Sequence, residues 1–217
     1  MKDDTIMHQP GIVKKIQYTA IMILFAASVF FAYSNTINSP FVLDDSHAIL
    51  ENHVIRMNEI TLKELAGFFN SNFVSDRLLP KFSFALNYFF GQYNVKGYHL
   101  VNIIIHVING ILLFFFINIT FSISAKLSYK PVIFRHNDLL NISVFSVLIW
   151  LLHPLQTNSV TYIVQRMNSM AVLFYILSLL LYAKGRNLQI EQKTLDNAHL
   201  NTNAEKEETG NNFLSTY

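Results

Sequence analysis

The sequence predicts an all-α, polytopic membrane protein of about four transmembrane helices, with a large outer loop carrying amphipathic surface helices. Three observations lead there. Of the 217 residues, 52% are hydrophobic and only 14% charged, too apolar for an ordinary soluble domain. The apolar residues gather into four runs, at 16–34, 98–124, 139–152 and 167–183, and the longer runs suffice to cross a hydrocarbon core of about 30 Å at about 1.5 Å per residue. Lys and Arg flank alternate ends of the runs, the bias that orients helices in a bilayer. The chain has no cysteine, which excludes disulfides and Cys-ligated metals. With no glycine-rich phosphate loop and no basic nucleic-acid patch, nucleic acid is not an expected partner.

Taken in order, residues 1–15 end in Lys14 and Lys15 and are placed in the cytoplasm. Residues 16–34 read as an uncleaved first helix, because Ala26-Ala27-Ser28 lies inside the apolar run and not after it. An extracytoplasmic loop, 35–97, follows and is too aromatic for a disordered linker. Within it Thr61-Leu62-Lys63-Glu64 has the capping-box pattern, with Leu62, Leu65 and Phe69 at helical spacing. Residues Lys81 to Phe90 place Phe82, Leu86 and Phe89 on a second apolar face. Both stretches are predicted to lie as amphipathic helices on the membrane surface.

The second span, 98–124, returns to a basic cytoplasmic loop, 125–138, containing Lys126, Lys130, Arg135 and His136. The third run, 139–152, is interrupted by Asn141 and stopped by His153-Pro154; its length suits a short span or a re-entrant helix, and a short span keeps 153–166 outside with the first loop. The fourth, 167–183, ends at Lys184 and Arg186. From 184 to 217 the composition turns to Asn, Glu, Lys, Gln and Thr, which predicts a polar cytoplasmic tail without a core of its own.

The residues able to carry chemistry gather on the outer side. Asp44 and Asp45 lie just beyond the first span, where a charge is costly unless solvated, paired or used. In an extended segment only one of the two can face a given substrate, leaving the other to support it, and proximity raises one of their pKa values, as suits a general base. The same residues also suit a helix N-cap before His47-Ala48-Ile49-Leu50. Arg56, Arg77 and Arg166 supply fixed outer charge for a phosphate, although lone arginines there commonly meet lipid head groups. His99, Asn102 and His106 share one face of the second span. The spacing admits a metal, but no Asp, Glu or Cys in the segment completes a ligand set, so interhelical hydrogen bonds are the expected role.

These pieces together resemble a known family. Phe41-x-Leu43-Asp44-Asp45-x-His47, Ile49-x-x-Asn52 and Ile55-Arg56 are similar to the first outer loop of membrane glycosyltransferases of the GT-C fold. More narrowly they resemble the protein O-mannosyltransferase-like group that carries tetratricopeptide repeats. The resemblance continues through Arg77-Leu78-Leu79-Pro80, Ser83 to Tyr88, Tyr98-His99-Leu100-x-Asn102-x-x-x-His106, His153-Pro154 and Val160-x-Tyr162-x-x-x-Arg166, covering most of 40–182.

It implies transfer of a hexose, mannose or a relative, from a polyprenyl-phosphate donor to a protein or glycan hydroxyl on the extracytoplasmic face of the bacterial inner membrane or endoplasmic reticulum. It assigns Asp44 as catalytic base beside Asp45, and Arg77 or Arg166 to the donor phosphate. His47, Asn52, His99, Asn102, His106 and His153 are assigned as support. No cofactor is implied beyond the donor, and metal dependence is left open. The implied partners are membrane lipid, the lipid-linked sugar and the acceptor. Two departures stand out: this group has many more spans than four, and usually reads Arg-Pro where Arg77-Leu78 stands here. The resemblance therefore implies the N-terminal part of such an enzyme, partnered by a C-terminal half with helical repeats. A non-catalytic membrane subunit or truncated remnant of the fold is the alternative.

Overall fold

A computed structural model of the chain describes residues 10–69, 77–128 and 135–214. The expected N-terminal residues 1–9 and Lys130 of the basic loop lie outside them. Among the described residues every regular element is helical: α1 (Pro10–Tyr33), α2 (Leu62–Phe69), α3 (Leu78–Gly91), α4 (Val95–Leu127), α5 (His136–Leu152), α6 (Gln156–Thr161) and α7 (Arg166–Leu214). Three segments, Gly11–Thr36, Val95–Leu127 and Ile163–Asn197, are long and apolar enough to cross a membrane, and Asn137–Leu152 is a shorter apolar helix. The protein is thus an all-α polytopic membrane protein, as predicted.

The four long helices form a bundle with α4 at its centre, packed against α7, α5 and α1. Its core contains Phe25, Val29, Phe114, Val147 and Leu151. Packing is closest at Gly110, where an added Cβ would come within 2.7 Å of Leu151 Cδ2. The missing side chain lets α5 approach α4, as small residues do between membrane helices. Helix α5 ends where His153-Pro154 stops it. Pro154 has no N–H and a helix end leaves carbonyls unpaired. The Leu151 carbonyl, freed in this way, accepts the Tyr33 hydroxyl of α1 (3.2 Å) and is met by His106 Nε2 of α4 (3.0 Å).

A second core sits beyond this bundle, in a cap built from the first outer loop, α2, α3 and the first turns of α4. It buries Ile49, Ile55, Phe68, Phe84, Tyr98 and Ile163. Helix α4 serves both layers, since its 33 residues span about 50 Å, well beyond a core of about 30 Å. Its N-terminus therefore stands in the cap.

Three details come from the structure. On α3 the side turned into the protein is Lys81, Phe84 and Ala85, packed on α4 and on the turn at His53–Ile55, while Phe82, Leu86 and Phe89, the face expected on the membrane, are half-buried, with Phe82 against Phe68 and Phe69. On α2 the buried ring is Phe68, while Leu62 is 87% exposed. The predicted cap there is half formed: Thr61 Oγ1 accepts the Glu64 N–H (3.2 Å), but the Glu64 carboxylate accepts from Glu59. Finally, the polar stretch from Lys184 continues α7 as a helix to Leu214. Residues 184–195 are mostly good helix formers, and one glycine, Gly185, costs only about 1 kcal/mol.

Candidate active site

The turn at Phe41–Ser46 decides where the two carboxylates go. Leu43 adopts φ +47, a left-handed conformation unusual for a bulky residue, and Asp45 Oδ2 closes the turn by accepting the Val42 N–H at 3.0 Å. The other oxygen, Oδ1, accepts the Val164 N–H at 2.8 Å, so Asp45 fastens the loop to the chain 119 residues later. It is 1% exposed. Burial pushes its carboxyl above the ordinary 3.8, Asp44 adds to the rise, and the two N–H bonds and His99 oppose it. Asp44 is exposed. Its backbone N–H donates to the Tyr162 hydroxyl at 2.8 Å.

Asp44 lines a cavity of about 490 Å³, within the usual range for a small-molecule site. Three segments meet there. The acidic loop contributes Asp44, His47 and Ala48; the entry to α3 contributes Arg77 and Lys81; the turn at Ile163–Gln165 and the first residues of α7 contribute Val164, Gln165, Met167 and Asn168. Arg77 immediately precedes α3 and Lys81 lies in its first turn. Arg77 Nη1 is 3.1 Å from Met167 Sδ. His47 pairs with Glu51 at 2.6 Å on the exposed surface. A carboxylate, two cations and two carboxamides around one opening form a site able to take a proton from a hydroxyl and hold an anionic group.

The other predicted residues stand behind this opening. Arg166 is fully buried, and the cavity lining does not include it. Its guanidinium donates to Asn102 Oδ1 (2.7 Å), Asn87 Oδ1 (2.7 Å), Ser83 Oγ (3.1 Å) and the Tyr98 carbonyl (2.8 Å), and lies 4.4 Å from the centre of the Phe84 ring. It thus joins α3, α4 and α7 at the seam between bundle and cap. Asn102 reinforces the seam by donating to the Val160, Tyr162 and Ile163 carbonyls at 3.3–3.4 Å. His99 Nε2 is 3.0 Å from the Ser39 carbonyl, and His106 stacks on Trp150. The expected polar contacts between helices are therefore present. Asn52 caps the turn at His53–Ile55 by accepting the Val54 N–H (3.0 Å). His153 accepts the Leu155 N–H (3.2 Å), a role in the turn after α5 and not at the cavity.

Lys81, Gln165, Asn168 and Tyr162 enter the site without having been singled out for it. Lys81 carries a legible signal, one turn after Arg77 in an apolar helix. The others depend on where α7 begins, which periodicity does not locate.

The chain is similar in sequence to several protein O-mannosyl-transferases. A protein O-mannosyl-transferase of Caenorhabditis elegans is 26% identical over 175 residues, which are 77% of this chain and 23% of that protein. Protein O-mannosyl-transferase tmtc2 of Xenopus laevis is 30% identical over 160 residues, 70% of this chain and 17% of that protein. The chain resembles the protein O-mannosyl-transferases. TMTC4 of Homo sapiens, another protein O-mannosyl-transferase, is 27% identical over 179 residues, 78% of this chain and 23% of that protein. The O-mannosyl-transferase-like chain spans about a fifth of the length of these relatives. No family model matches it, and no solved structure matches it significantly.

Proposed function

We propose that the chain is the N-terminal portion of a GT-C membrane glycosyltransferase, moving a hexose, mannose first among candidates, from a polyprenyl-phosphate donor to a protein or glycan hydroxyl at the extracytoplasmic face. The observation that carries this reading is the cavity where Asp44 meets Arg77 and Lys81. The acceptor oxygen loses its proton to Asp44 and bonds to the anomeric carbon as the bond from that carbon to the phosphate oxygen breaks, inverting the centre through an oxocarbenium-like transition state. Arg77 and Lys81 stabilise the charge left on the lipid phosphate. Asp45 and Arg166 position the loop and the helices, and the reaction calls on no further cofactor. The partners are then membrane lipid, the lipid-linked sugar, the acceptor, and a further portion with helical repeats such as the longer relatives have room for.

Asp44→Asn keeps the shape and removes the base, and transfer from polyprenyl-phosphate mannose by membranes containing the protein should fall about 10²–10⁴-fold at equal insertion. Unchanged transfer would sink the assignment. The second reading is a non-catalytic membrane subunit keeping the same fold. Inactivity of the chain alone, with activity restored by a partner polypeptide and indifferent to Asp44→Asn, would establish that reading instead.

A further inference from the structure

At the end of the bundle away from Asp44 lies a larger cavity, about 650 Å³, between α1, α4, α5 and α7. The lining residues from α4 include Phe115, Ser122 and Lys126, so the cavity follows that helix for eleven residues, about 16 Å. That is the depth of one leaflet, half of a core of about 30 Å. Leu180 of α7 and Tyr18 of α1 add apolar walls, and Lys184 stands one turn beyond Leu180 at the polar end.

The charges at the mouth are unequal. Lys126 is ion-paired with Glu191 and donates to Asn187 at 2.7 Å, which ties α4 to α7. Lys184 is exposed and has no carboxylate within ion-pair distance among the described residues. The slot is therefore mostly apolar along a leaflet's depth, with Asn118 and Ser122 as its polar wall positions and, among the described lining residues, Lys184 as the ammonium without a carboxylate partner.

We infer that this slot binds an anionic phospholipid, one acyl chain lying along α4 and the phosphate at Lys184. Apolar depth and cationic rim complement a phosphate-headed lipid, and juxtamembrane lysines contribute about fivefold each in affinity for anionic lipid. The site is separate from the candidate active site and does not rest on the proposed reaction.

The test uses the full chain in phosphatidylcholine nanodiscs with stepwise increments of phosphatidylglycerol, read by the midpoint of thermal unfolding. The midpoint should rise to saturation with phosphatidylglycerol. Lys184→Gln, an exposed change that leaves packing intact, should raise the half-saturating fraction about fivefold. Glu191→Gln should lower it about fivefold by freeing Lys126, an opposite sign that general damage does not produce. A non-saturating rise, or the same response in all three proteins, would mean diffuse charge screening and overturn the site. So would cross-linking of two copies through Ser122→Cys at the stoichiometry of a dimer, since a second copy would then fill the slot.

Discussion

Asp44 and Asp45 are adjacent and have opposite surroundings, so their substitutions should fail in different ways. Asp45 is buried, with its carboxyl pKa raised above 3.8, chiefly by desolvation. A raised folded-state pKa stabilises the fold below the unfolded value, and that contribution fades as pH climbs through the folded value. Stability of the wild type in detergent should therefore decline as pH rises from about 3.8, and Asp45→Asn should lack that decline. It should also be less stable throughout, because an amide cannot accept from both Val42 and Val164; one unsatisfied group costs about 1–3 kcal/mol. Thermal unfolding of both proteins across the acid range checks the pair of outcomes. Tyr162 acts on the neighbouring residue. Its hydroxyl bonds to Asp44, and burial together with both carboxylates holds its pKa above 10.0 against the Asp44 N–H bond, so it stays protonated. Tyr162→Phe should lower kcat about tenfold, the loss of one hydrogen bond of about 1.4 kcal/mol, with KM unchanged. In an Asp44→Asn background the same change should cost nothing further. Full additivity would show that Tyr162 acts independently of Asp44.

The helices were the most legible part of the sequence, and their faces the least. Each apolar run became part of a helix, and the third stops at the predicted His153-Pro154, since run length and that stop are local properties, whereas α7 runs on to Leu214. Which side of α3 is buried is not local: it depends on Tyr98 and Ile163, which complete the cap from other helices. Arg166 illustrates the limit. In sequence it is one of three outer arginines, and only the arrival of Ser83, Asn87 and Asn102 separates it from Arg77. Gly110 was also silent, because its meaning lies in Leu151. Leu151 is fully buried and has no room to retreat, so Gly110→Ala should destabilise the bundle by about 1–3 kcal/mol through overpacking. Leu151→Ala in the same chain should recover part of the loss. A double variant equal to the sum of its parts would show that the two residues do not touch there.

At the level of the whole molecule, the segments expected outside gather at one end of the bundle. Tyr33 meets Leu151, His99 meets Ser39 and Asp44 meets Tyr162 at that end, while Lys126 meets Asn187 and Glu191 at the other. Which end faces the cytoplasm is a matter for labelling, and the absence of native cysteine makes single-cysteine variants clean. Ser46→Cys should react with an impermeant maleimide added from outside, and Ser128→Cys only after the membrane is opened. The reverse pattern would move the cavity to the cytoplasmic face and, with it, the class of donor and acceptor.

The Leu151 carbonyl gives the molecule a mechanical asymmetry. One oxygen on α5 is met by a side chain from α1 and another from α4, so three helices are triangulated on a single point. Sliding any of them by one residue, about 1.5 Å, breaks at least one of those bonds. Arg166 and Asn102 lock α7 to the same frame. The same Arg166 guanidinium reaches Ser83 and Asn87, so α3 is held to that frame as well.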